Sequence, residues 1–557
     1  MSARTTMTTP GTPGPSVRRH GKSVIVIGGG ISGLASAALL AREGHDVTLY
    51  EKASTVGGRA SSWQSEGFRF DLGPSWYLMP EVFDHFFRLM GTSSDEQLDL
   101  VTLDPGYRVL FEGVDAPIDV PNGLEANVAL FDEIEPGAGR RMRDYLASSR
   151  ETYDIAKERF LYTSFRSWLP LLRSDVVTRL PTLAKLLLTT LEKRVAATVT
   201  DPRLRQILGY PAVFLGSAPA QTPSMYHLMS TLDLDDGVLY PQGGLTTVIQ
   251  RIAALAEEAG VRIVTDATVE RVRTTGTGRR ARATGIDWTD AEGATRASFA
   301  DVVVSAADLH HTETKLLPRE LQSYGEGYWT GRDPGPSALL MYLGVEGEVP
   351  ELEHHTLFFS RDWHENFARI FGPDKKIPEP PSLYVCKPST VDPSTAPAGQ
   401  TNLFVLVPLP PLPALGLGGL DGAGADVLEK LGDTVIDQIA TWAGIPDLAS
   451  RLVVRRTRGP QDFVDDYNSW SGSMLGPAHT LAQSAMFRAG NVSKKVRGLF
   501  YVGGSVRPGI GLPMCLISAE VLLKNLRGDT STEPLPEPAP SVAPVVPAPA
   551  PAAPAAV

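Results

Sequence analysis

Short apolar runs rich in valine and isoleucine alternate along the chain with helix-like segments, a pattern typical of a parallel α/β fold. The first run predicts a buried strand at Ser23–Ile27, followed by a glycine turn over residues 28–33. Apolar spacing predicts a helix over 31–43 that ends at Gly44, and then a second strand at Asp46–Tyr50. Strand, turn, helix and strand in this order form a βαβ unit.

Two later stretches carry the same kind of signal, each with a glycine-rich loop, at residues 242–244 and 503–513. The predicted elements there are a helix over 245–259, strands over 261–265, 267–273 and 301–305, a strand over 499–502 and a helix over 514–526. Because parallel strands end at one edge of their sheet, we expect these two loops and the first glycine turn to meet there.

These signals fall in three separated segments, and the regions between them lack the pattern. The sequence therefore predicts an α/β fold with one domain assembled from three pieces and a second domain inserted between them. The predicted boundaries are residues 22–80, 236–320 and 488–530 for a Rossmann-like nucleotide-binding domain, 81–235 and 321–487 for an inserted α+β substrate domain, and 1–21 and 531–557 for a disordered lead-in and a Pro/Ala-rich disordered tail.

Composition limits the class of partner and the compartment. The 557 residues carry a formal net charge of −11. This disfavours a nucleic-acid partner, because phosphate binding requires a basic surface. Cys386 and Cys515 are too few for a disulfide framework, which favours two free thiols in a reducing cytoplasm. Uninterrupted apolar runs stay below the roughly 18 residues that predict a membrane-spanning helix.

Residues 28–33, Gly-Gly-Gly-Ile-Ser-Gly, fit the dinucleotide-binding pattern G-x-G-x-x-G between a strand and a helix. Gly28 permits the tight turn, Gly30 lets the backbone approach a pyrophosphate, and Gly33 lets helix and strand pack closely. The helix start offers free N–H groups and a partial positive charge to phosphates. Glu51, at the end of the second strand, is placed to accept hydrogen bonds from an adenosine ribose.

After Glu51 the chain continues as K-A-S-T-V-G-G-R over residues 52–59. This resembles the extended motif of the FAD-dependent amine oxidase and carotenoid desaturase superfamily, in which Gly-Gly-Arg follows the ribose acid. The resemblance implies that FAD is the cofactor. It also implies that Gly57 and Gly58 let backbone lie against FAD, and that Arg59 meets its phosphate or flavin side.

Four further stretches resemble motifs of the bacterial-type phytoene desaturases within that superfamily. They are F-D-L-G-P-S over 70–75, L-Y-P-Q-G-G over 239–244, C-K-P-S-T-V-D-P-S-T-A-P over 386–397 and G-L-F-Y-V-G-G-S-V-R-P-G-I-G-L-P over 498–513. The resemblance extends from about residue 22 to residue 527. One departure is Arg507, which stands where the family often has histidine, a change that can alter the substrate or the reaction.

The resemblance implies a Rossmann-like FAD-binding domain and desaturation of a long polyene hydrocarbon in carotenoid biosynthesis. The most direct reaction converts phytoene to lycopene by hydride transfer to the flavin and proton loss, with a quinone or O₂ as possible electron acceptor. The candidate cofactor-binding residues are Gly28, Gly30, Ile31, Ser32, Gly33, Glu51, Lys52, Gly57, Gly58, Arg59, Gly73, Pro74, Ser75, Val269, Gly503, Gly504, Ser505, Gly511, Leu512 and Pro513.

A membrane-facing surface is expected, because phytoene dissolves in the bilayer. Within residues 167–199, one helical face predicted from four-residue spacing carries Leu183, Leu187, Leu191 and Val195. Residues 166–194 hold six basic and two acidic side chains, and a basic amphipathic helix suits an anionic membrane. This predicts a protein that lies peripherally on the cytoplasmic membrane; the alternative is that the stripe packs on the protein core.

No catalytic acid or base can be assigned from the sequence. The candidate histidines lack the i, i+4 spacing of paired metal ligands, and no metal is predicted; they are His227, His310, His311, His354 and His355. Asp71 is expected to orient groups near the flavin rather than to act as a base. Trp76 and Tyr77 either line the substrate tunnel or pack in the core.

Rival functions stay open at this point. An amine or porphyrinogen oxidase would share the flavin fold. Within the carotenoid branch, a ketolase, an isomerase or a C30 desaturase is an alternative. A non-catalytic prenyl-binding scaffold, resembling the GDP-dissociation inhibitors, is disfavoured by the intact Glu51 and the Gly-Gly-Arg at residues 57–59.

Overall fold

The computed structural model describes residues 21–166 and 180–538, without the side chains of residues 180–183 and 279. The predicted lead-in up to residue 20, residues 167–179 of the basic apolar segment and the tail from residue 539 lie outside the described residues. Within the described ranges, helices too short or too polar to cross a bilayer accompany two large sheets in a mixed α/β fold.

The strands and helices follow one another through the whole described chain. The strands are β1 (Ser23–Ile27), β2 (Asp46–Tyr50), β3 (Ser62–Ser65), β4 (Phe68–Asp71), β5 (Leu100–Thr102), β6 (Tyr107–Phe111), β7 (Val114–Val120), β8 (Leu239–Pro241), β9 (Arg262–Val264), β10 (Thr268–Thr275), β11 (Arg282–Thr289), β12 (Thr295–Phe299), β13 (Val302–Ser305), β14 (Ser337–Glu346), β15 (His355–Phe359), β16 (Leu383–Cys386), β17 (Gln400–Leu409), β18 (Leu452–Arg458) and β19 (Leu499–Tyr501). The α-helices are α1 (Ile31–Arg42), α2 (Pro80–Met90), α3 (Ser94–Gln97), α4 (Leu124–Ile134), α5 (Ala138–Ala156), α6 (Leu180–Leu188), α7 (Leu191–Thr198), α8 (Pro202–Gly209), α9 (Ser230–Leu234), α10 (Gly244–Glu258), α11 (Leu309–Thr314), α12 (Glu326–Trp329), α13 (Trp363–Phe371), α14 (Asp426–Ala443), α15 (Pro460–Tyr467) and α16 (Leu512–Arg527).

A five-stranded parallel sheet has the strand order β19-β13-β1-β2-β9. Its central strands β1 and β13 are short apolar runs buried on both faces, as parallel strands usually are. Val24 and Val26 face the core shared with α1, α10 and α16, whereas Ile25 and Val303 face the opposite core. The predicted strands β1 and β2 and the helix that follows β1 are confirmed.

A seven-stranded sheet has the order β18-β14-β17-β16-β15-β6-β7 and is antiparallel except where β15 meets β6. Along β14, Leu339 and Met341 pack with α14, whereas Leu340 and Tyr342 face the other side. This period of two gives the sheet two buried faces. One face packs on α14, and the other contributes to the cavity described below.

The amphipathic helix predicted around residues 183–195 is interrupted. Helix α6 ends at Leu188, and Thr190 starts α7 by accepting a hydrogen bond from the Lys193 N–H. Leu191 and Val195 are 1% and 3% exposed and belong to the core. The expectation of one continuous apolar face is therefore wrong, because the chain restarts its helix and turns the second half inward.

The start of the predicted tail packs on the protein. Leu535 is 4% exposed, and its N–H donates to the Glu520 carboxylate at 3.1 Å. The Lys524 ammonium donates to the carbonyls of Ser531 and Glu533 at 2.9 and 2.6 Å. Residues 531–535 therefore satisfy buried polar groups of α16, so the packed chain extends past the predicted tail boundary at residue 531.

Candidate functional site

A cavity of about 1030 Å³ lies at the carboxyl edge of the parallel sheet. Its lining includes residues that follow four of the strands: Gly28 after β1, Glu51 after β2, Ala306 after β13 and Val502 after β19. The carboxyl ends of parallel strands are where α/β folds bind their ligands. The cavity therefore lies where a parallel α/β sheet is expected to bind its ligand.

Only two of the three expected glycine-rich loops meet at the cavity. Residues 242–244 do not line it, and the loop after β13 takes that place. The reason is that β8 pairs with β5 in a separate antiparallel ribbon, so the glycines that follow it do not lie at the edge of the parallel sheet.

The first glycine loop leaves open space in front of α1. Among the described residues, a Cβ added at Gly30 would meet no atom within 4 Å and no side chain caps the helix, whose first residues Ile31 and Ser32 line the cavity. Gly33 lies away from the cavity, where a Cβ would stand 1.9 Å from the Gly28 carbonyl oxygen. Uncapped N–H groups and the helix dipole favour an anion in the open space.

Glu51 is fixed at the edge of the cavity by backbone donors. Its two carboxylate oxygens accept hydrogen bonds from the N–H groups of Gly29 at 2.5 Å and Ala53 at 2.9 Å. Its own N–H donates to the carbonyl of Val264 at 2.8 Å, which ties it to β9. Each carboxylate oxygen keeps further acceptor capacity, so the group can receive ligand hydroxyls.

Arg59 brings a positive charge to the cavity wall. It follows Gly58, where a Cβ would lie 3.3 Å from the Gly30 Cα, so two glycine loops touch through their backbones. The Arg59 guanidinium donates to the Ser469 hydroxyl at 3.0 Å and lies 5.2 Å from the centroid of the Tyr467 ring. Its buried Nε has no hydrogen-bond partner among the described residues and remains available as a donor.

The loop after β19 presents a second uncapped helix start to the cavity. Gly503, Gly509 and Gly511 have φ values of 103°, 151° and 120°, which favour glycine. Gly511 directly precedes α16, and Leu512 and Pro513 at the start of that helix line the cavity.

Arg507 holds a neighbouring loop in position. Its guanidinium donates to the carbonyls of Arg488 at 3.2 Å and Met486 at 2.6 Å and lies 4.8 Å from the centroid of the Phe165 ring. Burial lowers the pKa of Arg507. Arg507, the residue that departs from the family pattern, lines the cavity, and its hydrogen bonds hold the adjacent loop of the cavity wall in place.

Beyond the glycine loops the cavity wall is mainly apolar and aromatic. The lining residues of this part include Trp76, Leu232, Tyr210, Phe214, Leu340, Leu357, Phe359, Trp363, Tyr384 and Leu406. Trp76 stacks on His355 with ring centroids 4.3 Å apart. Tyr77 lies outside the lining, 1% exposed and stacked on Phe83. Of the two alternatives, Trp76 lines the tunnel and Tyr77 packs in the core.

A buried carboxyl group stands behind this aromatic wall. Asp233 accepts hydrogen bonds from the hydroxyls of Tyr210 at 2.6 Å and Tyr107 at 3.2 Å, and Tyr210 lines the cavity. Burial raises the pKa of Asp233 to about 7. Sequence reasoning missed Asp233, because its partners lie 23 and 126 positions away and no local motif marks it.

Burial, which is partial for His310 and His311, favours the neutral form of the candidate histidines. Burial lowers the pKa of all of them, to about 4 for His227 and about 3 for His354. His311 lines the cavity, whereas His227, His310, His354 and His355 lie outside its lining. None of the four is therefore in position to reach a ligand in the cavity directly.

His479 lines the cavity, although the sequence did not single it out. Its Nε2 accepts a hydrogen bond from the Ile510 N–H at 3.2 Å, and its Nδ1 lies 3.1 Å from the Tyr226 hydroxyl. Burial lowers the pKa of His479 well below the usual value. The imidazole is therefore a neutral wall group.

Asp71 lies behind the site. Its carboxylate accepts hydrogen bonds from the Leu245 N–H and the Thr246 hydroxyl, both at 2.7 Å, and so caps the start of α10. Burial raises its pKa. Asp71 lies outside the cavity lining, so its contacts are those of a structural link rather than of a ligand-orienting group.

Asp392 joins two of the sequence motifs to strand β4. Its carboxylate accepts hydrogen bonds from Arg69 at 3.1 Å, the Tyr240 hydroxyl at 3.2 Å and the Gly243 N–H at 2.8 Å. The Asp392 carboxylate therefore links the motif over 386–397, to which it belongs, with the motif over 239–244 and with Arg69 on β4.

Exposed apolar side chains mark the outer rim of the cavity. Leu187, Leu481 and Phe487 line it and are 36%, 38% and 58% exposed. Leu188, next to Leu187, is 79% exposed. Large apolar side chains at the rim of a cavity indicate contact with an apolar partner.

The structure brings the candidate cofactor-binding residues together. All of them except Gly33 line the cavity, including Val269 and the loop residues 73–75. Gly33 performs the packing role that the motif assigns to it. A group that offers an anion to the helix starts and hydroxyls to Glu51 would fit this part of the cavity.

Comparison with known proteins identifies related chains along almost the whole length. The family model described as flavin containing amine oxidoreductase matches residues 31–520. A carotenoid 3,4-desaturase of Haloarcula japonica is 42% identical over 503 residues, covering 90% of this chain and 97% of that protein. A zeta-carotene-forming phytoene desaturase of Myxococcus xanthus is 34% identical, covering 92% and 95%. A 4,4'-diapophytoene desaturase (4,4'-diaponeurosporene-forming) of Staphylococcus aureus is 30% identical, covering 91% and 99%.

Solved structures share the fold at lower identity. An oxidoreductase from Methanosarcina mazei superposes with a TM-score of 0.57 at 15% identity, covering 90% of this chain and 100% of that chain. A cyclohexylamine oxidase from Brevibacterium oxydans superposes with a TM-score of 0.53 at 14% identity, covering 91% and 100%.

Proposed function

The chain belongs to the flavin-containing amine oxidoreductase family, and from this premise we propose that it desaturates an acyclic carotenoid, converting phytoene to lycopene. The membership confirms the expected FAD-dependent oxidoreductase, and the full-length relatives identify it as a carotenoid desaturase. The prenyl-binding scaffold is therefore set aside. Phytoene as the substrate and lycopene as the product are the proposed parts.

The residues at the carboxyl edge of the parallel sheet fit FAD. Glu51 would hold the adenosine ribose, and the uncapped start of α1 would hold the pyrophosphate in the space left by Gly30. Arg59, whose Nε lacks a protein partner among the described residues, would meet the phosphate or the flavin. The loops over 73–75 and 503–513 would enclose the isoalloxazine, because both line the cavity.

The domain division is proposed on the same basis. The strands of the parallel sheet all come from the segments 22–80, 236–320 and 488–530, which we assign to the FAD-binding domain. The segments 81–235 and 321–487 supply the seven-stranded sheet and most of the apolar wall. Helix α2 packs with α1 and α16, so the first turns after residue 80 belong with the FAD-binding core.

One observation carries the proposal: the glycine-lined part and the aromatic part belong to a single cavity. When bound, FAD supplies the two-electron chemistry, accepting the hydrogen that leaves the polyene with its electron pair. The apolar wall around Trp76, Tyr210 and Leu357 aligns a hydrocarbon and excludes water. The second hydrogen leaves as a proton, and the phenol of Tyr210, which donates a hydrogen bond to the Asp233 carboxyl group, is a polar group of this wall through which that proton can leave.

Substrate entry is proposed to occur from lipid. The exposed rim residues Leu187, Leu481 and Phe487, with Leu188 beside them, would enter the interfacial layer of a membrane. Peripheral contact of this kind would let a hydrocarbon pass from the bilayer into the cavity without crossing water. A quinone or O₂ is the proposed electron acceptor.

The test is incubation of the FAD-loaded protein with liposomes that contain phytoene, followed by separation of the pigments. The expected product is lycopene, formed through partly desaturated intermediates. A ketone or a geometric isomer without new double bonds would contradict the proposal and assign a ketolase or an isomerase.

A second candidate is 3,4-desaturation of an already desaturated carotenoid. It is favoured by the 42% identity to the Haloarcula japonica protein, which exceeds the 34% identity to the Myxococcus xanthus phytoene desaturase. A parallel incubation with lycopene-loaded liposomes separates the two. Conversion of lycopene without conversion of phytoene would replace the first proposal by the second.

A further inference from the structure

Two imidazoles and a thiol form a cluster behind the aromatic wall and outside the cavity lining. One ligand atom from each of His354, His355 and Cys386 lies within 4.8 Å of the others. The residues are 3%, 0% and 4% exposed. Nitrogen and thiolate sulfur are the ligands of zinc and of other borderline or soft transition-metal ions.

The sheet brings the three residues together. β15 begins at His355 and β16 ends at Cys386, and the antiparallel register places these two residues directly opposite each other on one face. His354 immediately precedes β15, and its carbonyl accepts a hydrogen bond from the Lys387 N–H at 2.8 Å. The sequence could not predict the cluster, because the thiol lies on the neighbouring strand.

Three ring nitrogens in the cluster lack hydrogen-bond partners among the described residues. They are Nδ1 and Nε2 of His354 and Nε2 of His355. A buried polar group without a partner costs about 1–3 kcal/mol, and native proteins rarely leave one unsatisfied. An imidazole with both nitrogens unsatisfied therefore indicates a ligand other than a protein side chain.

The second nitrogen of His355 is held as metal-binding histidines usually are. His355 Nδ1 lies 2.7 Å from the Tyr384 hydroxyl, which lies 2.7 Å from the Ser75 hydroxyl. Trp76 stacks on the imidazole with an interplanar angle of 8°. These contacts fix the ring and leave Nε2 as the free ligand atom.

We propose that His354, His355 and Cys386 are three protein ligands of a buried site for a borderline-soft transition-metal ion, with Zn²⁺ as its representative. Zn²⁺ binds imidazole nitrogen at about 2.0–2.1 Å and thiolate at about 2.3 Å, so the side chains close around it by roughly 1 Å. The Cys386 thiol releases its proton to solvent as the bond to the metal forms. The site does not depend on the proposed function, because none of its ligands lines the cavity.

The bound ion would brace the wall of the cavity. It would cross-link β15 to β16 directly beneath Trp76 and Tyr384, both of which line the cavity. The absence of Asp and Glu from the ligand set disfavours Mg²⁺ and Ca²⁺, which require oxygen ligands.

The experiment measures metal bound to the intact, FAD-loaded protein after addition of Zn²⁺ and removal of the excess. We expect about one zinc per chain in the wild type and in the control H364Q, since His364 is an exposed histidine outside the cluster. H354Q and C386S should each weaken Zn²⁺ binding at least tenfold. Far-UV circular dichroism and FAD absorbance verify that each variant is folded.

X-ray absorption at the zinc edge supplies a readout that a packing defect would not change. The expected spectrum contains one sulfur and two or more nitrogen or oxygen neighbours, and C386S should lose the sulfur. Y384F, which keeps all three ligands, should weaken binding roughly tenfold through the lost hydrogen bond to His355. Zinc content equal in the wild type and C386S, or a spectrum without sulfur in the wild type, would overturn the proposal.

Discussion

Glu51 combines two tasks at the scale of a single side chain. Its carboxylate satisfies the N–H groups of Gly29 and Ala53 and keeps acceptor capacity, which in the proposed FAD site would receive the ribose. The sequence predicted this residue because the fingerprint is local: strand, glycine turn, helix and acid lie within one βαβ unit. Residues whose environment is assembled from distant segments, such as Asp233, carry no comparable signal.

Removing the Glu51 carboxylate should weaken FAD binding. A hydrogen bond to a charged group contributes about 1.5–3 kcal/mol, so E51A is expected to raise the Kd for FAD roughly 10- to 150-fold. Isothermal titration of the apoprotein with FAD measures the change. E51Q retains one acceptor and the side-chain shape and should fall between E51A and wild type, while E292A on an exposed turn should match wild type. Full FAD affinity in E51A would refute the ribose assignment.

Asp233 should make stability fall with rising pH. Its pKa in the folded protein, about 7, lies above the ordinary value of 3.8, so the contribution of this proton to stability is complete below about pH 4 and is lost as the pH rises from there through 7. D233N keeps the acceptor for Tyr210 and Tyr107 and removes the charge.

The variant's stability relative to wild type is therefore expected to increase by about 2–3 kcal/mol between pH 5 and pH 8. Urea denaturation of both proteins at the two pH values measures this difference. A difference that does not change with pH would show that Asp233 stays ionised throughout.

Elements differ in how far the sequence predicts them. β1, α1 and β2 follow from local periodicity, because each is a continuous apolar run or a helical stripe closed by a glycine. The seven-stranded sheet could not be predicted strand by strand, because β6 pairs with β15 from a distant part of the chain. The break between α6 and α7 shows the same limit, since Thr190 caps a new helix inside an otherwise helical pattern.

The segment after α16 is expected to contribute to stability. Ending the chain after Thr530 removes Leu535, which is 4% exposed, and the carbonyls that receive the Lys524 ammonium. Burying one leucine contributes about 1.5–3 kcal/mol, so this truncation should lower the free energy of unfolding by at least about 2 kcal/mol.

The matched control ends the chain after residue 539 and should leave stability unchanged, because it removes only the Pro/Ala-rich part. L535A in the full chain should reproduce about half or more of the loss from the long truncation. Chemical denaturation of the three proteins beside wild type is the measurement. Equal stability of all four would restore a tail boundary near residue 531.

The molecule as a whole is acidic, yet its exposed apolar rim has basic neighbours. The net charge is −11, while the exposed Lys185 and Lys193 lie on the helices that lead to and from Leu188. Positive charge beside exposed leucine and phenylalanine side chains suits contact with an anionic lipid surface. The rest of the protein surface is acidic, and such a surface would be repelled by anionic lipid.

Replacing rim residues by glutamate is therefore expected to release the protein from membranes. Inserting a large apolar side chain contributes about 1.5–3 kcal/mol, so L188E and F487E should each weaken binding to vesicles with phosphatidylglycerol roughly tenfold or more. Vesicle sedimentation at low and high salt measures the binding, and F299E is the matched control, because Phe299 is 69% exposed but lies outside the cavity lining. Retained FAD absorbance in each variant separates lost lipid contact from lost folding. Unchanged sedimentation of L188E and F487E, or an equal loss in F299E, would mean that substrate reaches the cavity by another surface.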